Sequence, residues 1–230
     1  MTIEGKRQAN RLPARRLAAK MASRLFRGLC MKLYYSPGAC SLSPHIIANE
    51  AGVPIELMKV DIKAHKTESG EDFYKINPKG YVPTLQLDDG TFLTESPAID
   101  LYIADKKPES KLAPASGTLE RYKLYEWLAF INSEIHTSFE PLFGDAPDAV
   151  KTQSKARIML RFDYTNGQIG DKQFLMGDTF MAADAYMFVM LTWAHHMKIA
   201  LPHSLTDFFR RVSQRPAVQK AMKEEGLIKS

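Results

Sequence analysis

The stretch Tyr35-Ser36-Pro37-Gly38-Ala39-Cys40-Ser41-Leu42-Ser43-Pro44 limits the fold of this chain more than any other. Met31 to Tyr35 is a short apolar run that reads as a strand, and Pro37 with Gly38 breaks it. Pro44-His45-Ile46-Ile47-Ala48-Asn49-Glu50-Ala51 then reads as the body of an amphipathic helix. Cys40 stands where that helix opens, facing unpaired N–H groups whose partial positive charge favours thiolate over thiol. A depressed Cys40 pKa is therefore expected. A lone cysteine is most often a small core hydrophobe. Here the flanking Pro, Gly and Ser belong to an exposed turn, which points to a reactive thiol. A second constraint is Tyr81-Val82-Pro83-Thr84, with a Pro directly before the alternating strand Leu85-Gln86-Leu87. Such a Pro is confined to an edge or a bend and allows a cis bond there.

Around these two points the chain alternates. Strand Lys32–Tyr35 and helix Pro44–Ala51, stopped by Gly52 and Pro54, lead to a strand over Glu56–Asp61. Thr67–Lys75 reads as a short helix closed by Asn77-Pro78-Lys79-Gly80. Thr84–Leu87, the turn Asp88-Asp89-Gly90 and Thr91–Leu93 form a hairpin. Ser96 and Pro97 open a last helix to Ala104 as cap and first helical residue. This βαβ then αββα order is that of a thioredoxin-like α/β domain over residues 31–107. A breaker-rich linker at 108–117 follows. An all-α domain occupies 118–230, with helices over Leu119–Phe143, Val150–Ile169, Ala182–Met197, Leu205–Arg215 and Ala217–Glu224.

Charge divides the chain differently. Of the net +5, residues 1–30 supply eight Lys or Arg against Glu4 alone, so the other 200 residues are slightly acidic. A nucleic-acid surface would have to lie in that leader, which is expected to be disordered and apart from the chemistry, with Met31 as the functional start. No nucleic-acid or membrane partner is expected for the rest, since no apolar run approaches a bilayer span. Cys30 and Cys40 are the two cysteines. A strand between them separates their Cα atoms by roughly 15 Å at about 3.3 Å per residue. Bridged cysteines lie within about 7 Å. A disulfide is not expected, a multi-cysteine metal site is excluded by count, and a reducing cytoplasm fits.

The blocks Tyr34–Ser43, Asn77-Pro78-Lys79-Gly80, Val82-Pro83, Leu93-Thr94-Glu95, Glu126-Trp127-Leu128, Ala183-Asp184-Ala185-Tyr186 and Glu225-Gly226-Leu227-Ile228-Lys229, in this order, resemble the bacterial beta class of glutathione S-transferases over nearly all of residues 31–230. The resemblance implies a homodimer that uses glutathione as co-substrate, holds no metal and carries an electrophile site between its domains. Carried over, Cys40 would be the class cysteine, able to form a mixed disulfide with glutathione, with Ala39 beside it. Val82 and Pro83 would present backbone to the cysteinyl moiety, Glu95 would accept from the γ-glutamyl ammonium, and Ser96 would hold the γ-glutamyl carboxylate. That last role has an independent basis, because a helix N-terminus is an anion site. Ser133, Glu134 and His136 would contribute from the helical domain, with His136 near the thiol. A surface or interface histidine is the equally weighted alternative for His136.

The chain also departs from the class. His65 stands where Lys is usual, with Lys66 as a possible substitute, and Ala129 and Thr137 replace Asn and Lys. Met181-Ala182-Ala183-Asp184 replaces a Thr-x-x-Asp helix opening, leaving Asp184 to supply one arm of the capping box. Cys40 is followed by Ser43 at the third position, so an oxidised Cys40 would need an outside thiol such as glutathione. The expected function is conjugation of glutathione to small electrophiles together with Cys40-dependent thiol–disulfide exchange or peroxide reduction. Phe139, Phe143 and Trp193 would line the electrophile site. The rival readings are a non-catalytic adaptor of the same fold and a binding protein for apolar ligands.

Overall fold

The computed structural model describes residues 30–229. The leader assigned to 1–30 therefore lies, except for Cys30, outside the described residues.

Strand β1 (Lys32–Tyr35) runs through turn 36–41 into α1 (Leu42–Ala51) and returns as β2 (Glu56–Asp61). Strands β3 (Lys66–Thr67), β4 (Thr84–Gln86) and β5 (Phe92–Thr94) follow, and α2 (Ser96–Asp105) closes the domain. The five strands lie in the order β3-β2-β1-β4-β5. Only β1 and β2 pair in parallel, with Leu33 opposite Leu57; Leu33 also faces Leu85 across the antiparallel β1–β4 pair. Leu33 and Leu85 are fully buried. Helix α1 starts at Leu42, two residues before Pro44, because a Pro is tolerated in a first turn whose N–H groups have no partner anyway. Gly52, at φ 64°, caps its end with its N–H on Ala48 and Asn49.

The helix expected over Thr67–Lys75 is absent. Thr67 spends its hydroxyl on Ser69 and the Glu71 N–H, Gly70 takes φ 86°, and Asp72 caps a single 3₁₀ turn, Phe73–Lys75. These local side-chain bonds compete with helix propagation.

The linker is tied down by Arg121, a buried guanidinium that forks onto both oxygens of Asp105 at 2.7 and 2.8 Å and reaches the Pro114 carbonyl. Beyond it, α3 (Leu119–Phe130) continues through a wide π turn, Ile131–His136, into α4 (Thr137–Phe143). Helices α5 (Asp148–Ile169), α6 (Ala182–His196), α7 (His203–Ser213) and α8 (Pro216–Glu224) complete the domain. Helix α6 is buried on almost every face, as its run of apolar residues demands. Asp184 in its first turn accepts from the Met181 and Leu175 N–H groups at 2.8 Å, the arm of the capping box that the sequence retains. Burial pushes the Asp184 carboxyl up to about 7 despite those two bonds.

One apolar core spans both domains, since Leu33 and Ile46 belong to the same cluster as Leu124, Ile135 and Tyr186. Helix α1 packs on α2, α6 and α8. Arg215 adds a fork onto Glu50 at 2.6 and 2.9 Å. The two domains therefore meet along a packed seam, and the site lies at its open end.

Candidate active site

A cleft of about 820 Å³ opens between the domains. Its floor is turn 36–40. Pro37 and Gly38 make this turn as the sequence indicates, but the turn is half-buried because the far end of the chain lies across it. The Gly38 N–H donates to Glu225 at 2.9 Å, and the Trp193 indole donates to the Gly38 carbonyl at 2.7 Å. Gly38 sits at φ 71°, and a Cβ there would lie 3.3 Å from Leu227. Glu225 also accepts from His45, itself buried, whose other ring nitrogen meets Glu224 at 2.8 Å.

Burial overturns the expected state of Cys40. Its thiol donates to the Val82 carbonyl at 3.3 Å and is 9% exposed. Burial pushes its pKa up to about 12; the Ser96 hydroxyl and nearby backbone N–H groups pull the other way and lose. The helix N-terminus is there, but desolvation outweighs it, so Cys40 is a thiol at neutral pH.

The Val82–Pro83 bond is cis, and both residues line the cleft ahead of β4. Ala39, Glu95 and Ser96 line it as well. Glu95 has φ 73°, and its Oε1 accepts from Lys79 Nζ at 2.7 Å and the Tyr81 hydroxyl at 2.8 Å. The Lys79 bond first, with Tyr81 adding to it, holds the Glu95 carboxyl below its ordinary range against the cost of burial. Ser96, 3% exposed, is the first residue of α2. The first N–H groups of that helix carry no side-chain cap.

His65 does not reach the cleft. Its Nδ1 meets the Gly80 carbonyl at 3.1 Å, its Nε2 meets the Tyr74 hydroxyl at 3.2 Å, and its ring stacks on Tyr74. Lys66 is not at the cleft either; Lys63 is the cation that lines it. The Asp61 carboxylate turns the chain there by accepting from the N–H groups of Lys63 and Ala64. That Asx turn was a readable signal for Lys63.

On the helical wall, the π turn carries Asn132 and His136 to the cleft, and Thr137 and Glu140 follow them. Ser133 and Glu134 point elsewhere. Ser133 is exposed, and Glu134 accepts from Arg157 and Arg161 on the outside of the bundle. Ala129 is exposed on α3, away from the cleft. His136 is partly buried, and desolvation lowers its pKa to about 4 against the opposing pull of Glu95. The His136 Nδ1 lies 2.6 Å from the Tyr186 hydroxyl, which donates to Asn132 Oδ1 at 2.9 Å. Phe143, 57% exposed, and Trp193 line the apolar end with their rings edge to face at 4.9 Å. Phe139, expected beside them, is fully buried core instead, because its position on α4 faces α5 and Phe162. Among the described residues no cluster could hold a metal ion.

Comparison with known proteins agrees with this architecture. A family model described as "Glutathione S-transferase, N-terminal domain" matches residues 30–105, and one described as "Glutathione S-transferase, C-terminal domain" matches residues 124–216. Glutathione S-transferase GstA of Escherichia coli O157:H7 is 42% identical over 200 residues, covering 86% of this chain and all of that protein. A sphingomonad glutathione S-transferase solved in complex with glutathione is 45% identical, with a TM-score of 0.82 over 86% of this chain and all of its own. A bacterial beta-class glutathione S-transferase of Sphingomonas chungbukensis is 44% identical, with a TM-score of 0.81 and the same coverage.

Proposed function

The chain belongs to the glutathione S-transferase family, and we propose that its cleft conjugates glutathione to small apolar electrophiles. The observation that carries this reading is the division of one cleft into a polar wall and a basic, apolar wall. Cys40, Val82, Glu95 and Ser96 stand on the first; His136, Phe143 and Trp193 stand on the second. Glutathione fits with its γ-glutamyl ammonium on Glu95 and its carboxylate on Ser96 and the α2 N-terminus. Its cysteinyl backbone pairs with Val82, as an extended peptide pairs with a strand edge. Lys63, not His65, is in place for the glycine carboxylate.

His136 is neutral at neutral pH and can act as the base, one weakened by its burial, so that the proton moves as the sulfur attacks rather than before. It takes the proton of the glutathione thiol, and the sulfur's electron pair attacks the electrophilic carbon. With an aryl halide, the bonding pair leaves with the halide and the proton passes from His136 to water. Cys40, holding its own proton, can turn its S–H from the Val82 carbonyl to the reacting sulfur as a hydrogen-bond donor. The resting thiolate that thiol–disulfide exchange at Cys40 would use is not favoured by its burial. The adaptor and apolar-carrier readings explain neither the ligated Glu95 nor the base opposite it.

A second copy of the chain fits the outer face of α3 and α5. There Leu119, Tyr122, Leu160 and Tyr164 are each more than half exposed around a groove floored by Trp127 and Phe130. Apolar exposure of this kind marks an interface. Both cysteines are free, which suits a reducing cytoplasm. No helix among the described residues is long and apolar enough to cross a membrane.

The test is glutathione-affinity retention followed by a panel of aryl halides, epoxides, disulfides and hydroperoxides assayed with glutathione. Retention with turnover of at least one carbon electrophile is expected. Flow-through with no turnover would overturn the reading.

A further inference from the structure

We infer that Tyr186, held by Asn132, is a positioning residue that fixes His136 in its Nδ1–H tautomer and leaves Nε2 as the free lone pair. This rests on the reading of His136 as the base, which Tyr186 would serve without touching substrate.

Tyr186 is fully buried on α6 and reads in sequence as one more apolar position of a core helix. A buried phenol hydroxyl needs partners. Tyr186 has two within 3 Å, and a single proton to share between them; the Ser96 hydroxyl is a third neighbour, acting as a donor toward the phenol oxygen. Asn132 Oδ1, at 2.9 Å, can only accept, so the phenol proton is committed there. The remaining contact, 2.6 Å to His136 Nδ1, is then a hydrogen bond only if Nδ1 carries a proton and donates to the phenol oxygen. The opposite tautomer would set two lone pairs against each other at that distance. A neutral imidazole has one ring proton, so once it is at Nδ1 the Nε2 atom is bare. Donating the second ring nitrogen to a fixed acceptor is how histidine tautomers are set in general.

Backbone and packing enforce the arrangement. The π turn Ile131–His136 brings Asn132 and His136, four residues apart, onto the face that meets Tyr186. Single π turns inside α-helices recur at functional sites. The His136 ring stands edge to face against Tyr186 at 89° and against Trp193 at 66°, so it is gripped on two sides. The charged groups sharing its cleft are Glu95, Glu140 and Lys63. None of them is bonded to its Nδ1.

The test is long-range ¹⁵N–¹H correlation spectroscopy on the full chain labelled at histidine, with the His136 signals assigned by their loss in His136→Gln. In the parent protein at neutral pH, Nδ1 should appear as the protonated, pyrrole-like nitrogen and Nε2 as the pyridine-like one. Asn132→Leu leaves the phenol proton free to turn to Nδ1, and the pattern should invert. Tyr186→Phe should lose the Nδ1–H preference. In both variants kcat for conjugation should fall roughly ten- to a hundredfold, within the usual reach of a misdirected general base, with the KM for glutathione moving much less. If Tyr186→Phe does not fold, Asn132→Leu keeps the core phenol and still decides the matter. A parent His136 already protonated at Nε2, or an Asn132→Leu protein with an unchanged tautomer, overturns the inference. A fully active His136→Gln with the parent tautomer intact would instead refute His136 as the base while leaving the lock standing.

Discussion

The two walls of the cleft carry Cys40 and His136, each uncharged at neutral pH and in opposite senses. On the α/β wall, burial keeps a proton on Cys40, whose pKa rises to about 12. On the helical wall, burial keeps a proton off His136, whose pKa falls to about 4. The same penalty on charge makes one side a donor and the other an acceptor. Neighbours are secondary in each case: a helix start does not rescue the Cys40 thiolate, and Glu95 does not rescue the His136 cation. Dry, paired surroundings decide protonation here more than formal charges nearby.

Removing the acceptor should have the largest effect. His136→Gln is expected to lower kcat about a hundredfold, a typical contribution of a general base. A loss below about threefold, measured by steady-state kinetics, would break the comparison at its base. Acid should act on the same group. Because the His136 pKa is depressed from 6.5 in the unfolded chain to about 4, its contribution to stability is complete above 6.5. That contribution falls away as pH drops from 6.5 through about 4, because the unfolded state binds the proton first. Denaturant midpoints measured across that window should decline in the parent and flatten in His136→Gln.

The polar wall is next. Glu95→Gln removes the anionic partner proposed for the ligand ammonium and should raise the Kd for glutathione roughly ten- to a hundredfold. That corresponds to about 1.5–3 kcal/mol for a charged hydrogen bond. Titration calorimetry reads it directly, and an unchanged Kd would move the ammonium elsewhere. Glu225→Ala tests whether the cover over the Gly38 turn contributes to the state of Cys40. It strips the Gly38 N–H and buried His45 of a shared acceptor and should cost about 1–3 kcal/mol. At this chain length that is roughly 2–4 °C in Tm per kcal/mol. It should also speed alkylation of Cys40 at neutral pH, and an unchanged alkylation rate would show that the cover does not set the thiol's state. Smallest of all should be Cys40→Ser, which keeps an O–H donor in place. Conjugation should stay within about threefold of the parent, and a larger loss would restore Cys40 to the chemistry.

Much of the scaffold was legible in local pattern. Strand β1, the hairpin β4–β5, the Ser96-Pro97 helix start and the cis-capable Val82-Pro83 each depend on two to four adjacent residues, and each appears within a residue of where those residues place it. Ser96 is the first helical residue, and Glu95, not Ser96, holds the cap position. What escaped the sequence was set across distance. The turn around Gly38 looked exposed because Glu225, Leu227 and Trp193 arrive from the other end of the chain. His65 looked like a weakened cation site because its true partners, Gly80 and Tyr74, lie nine or more residues on. The π turn has no composition signature, so Asn132 was invisible and Ser133 and Glu134 were assigned inward when they face out. Tyr186 reads in sequence as one more apolar residue of the Ala183-Asp184-Ala185-Tyr186 run. Its hydroxyl acquires meaning only once α6 packs against that turn.

The bond between Gly38 and Glu225 spans 187 residues. On a growing chain the strand, turn and helix around Cys40 emerge early, yet the carboxylate that closes them is among the last groups made. Contacts of such sequence separation form late, after the loop-closure cost has been met. Until then the Gly38 N–H lacks its acceptor and the turn lies more open to water. The newborn α/β domain therefore holds this turn by its own local bonds alone, and the end of the chain is what locks it into the finished cleft.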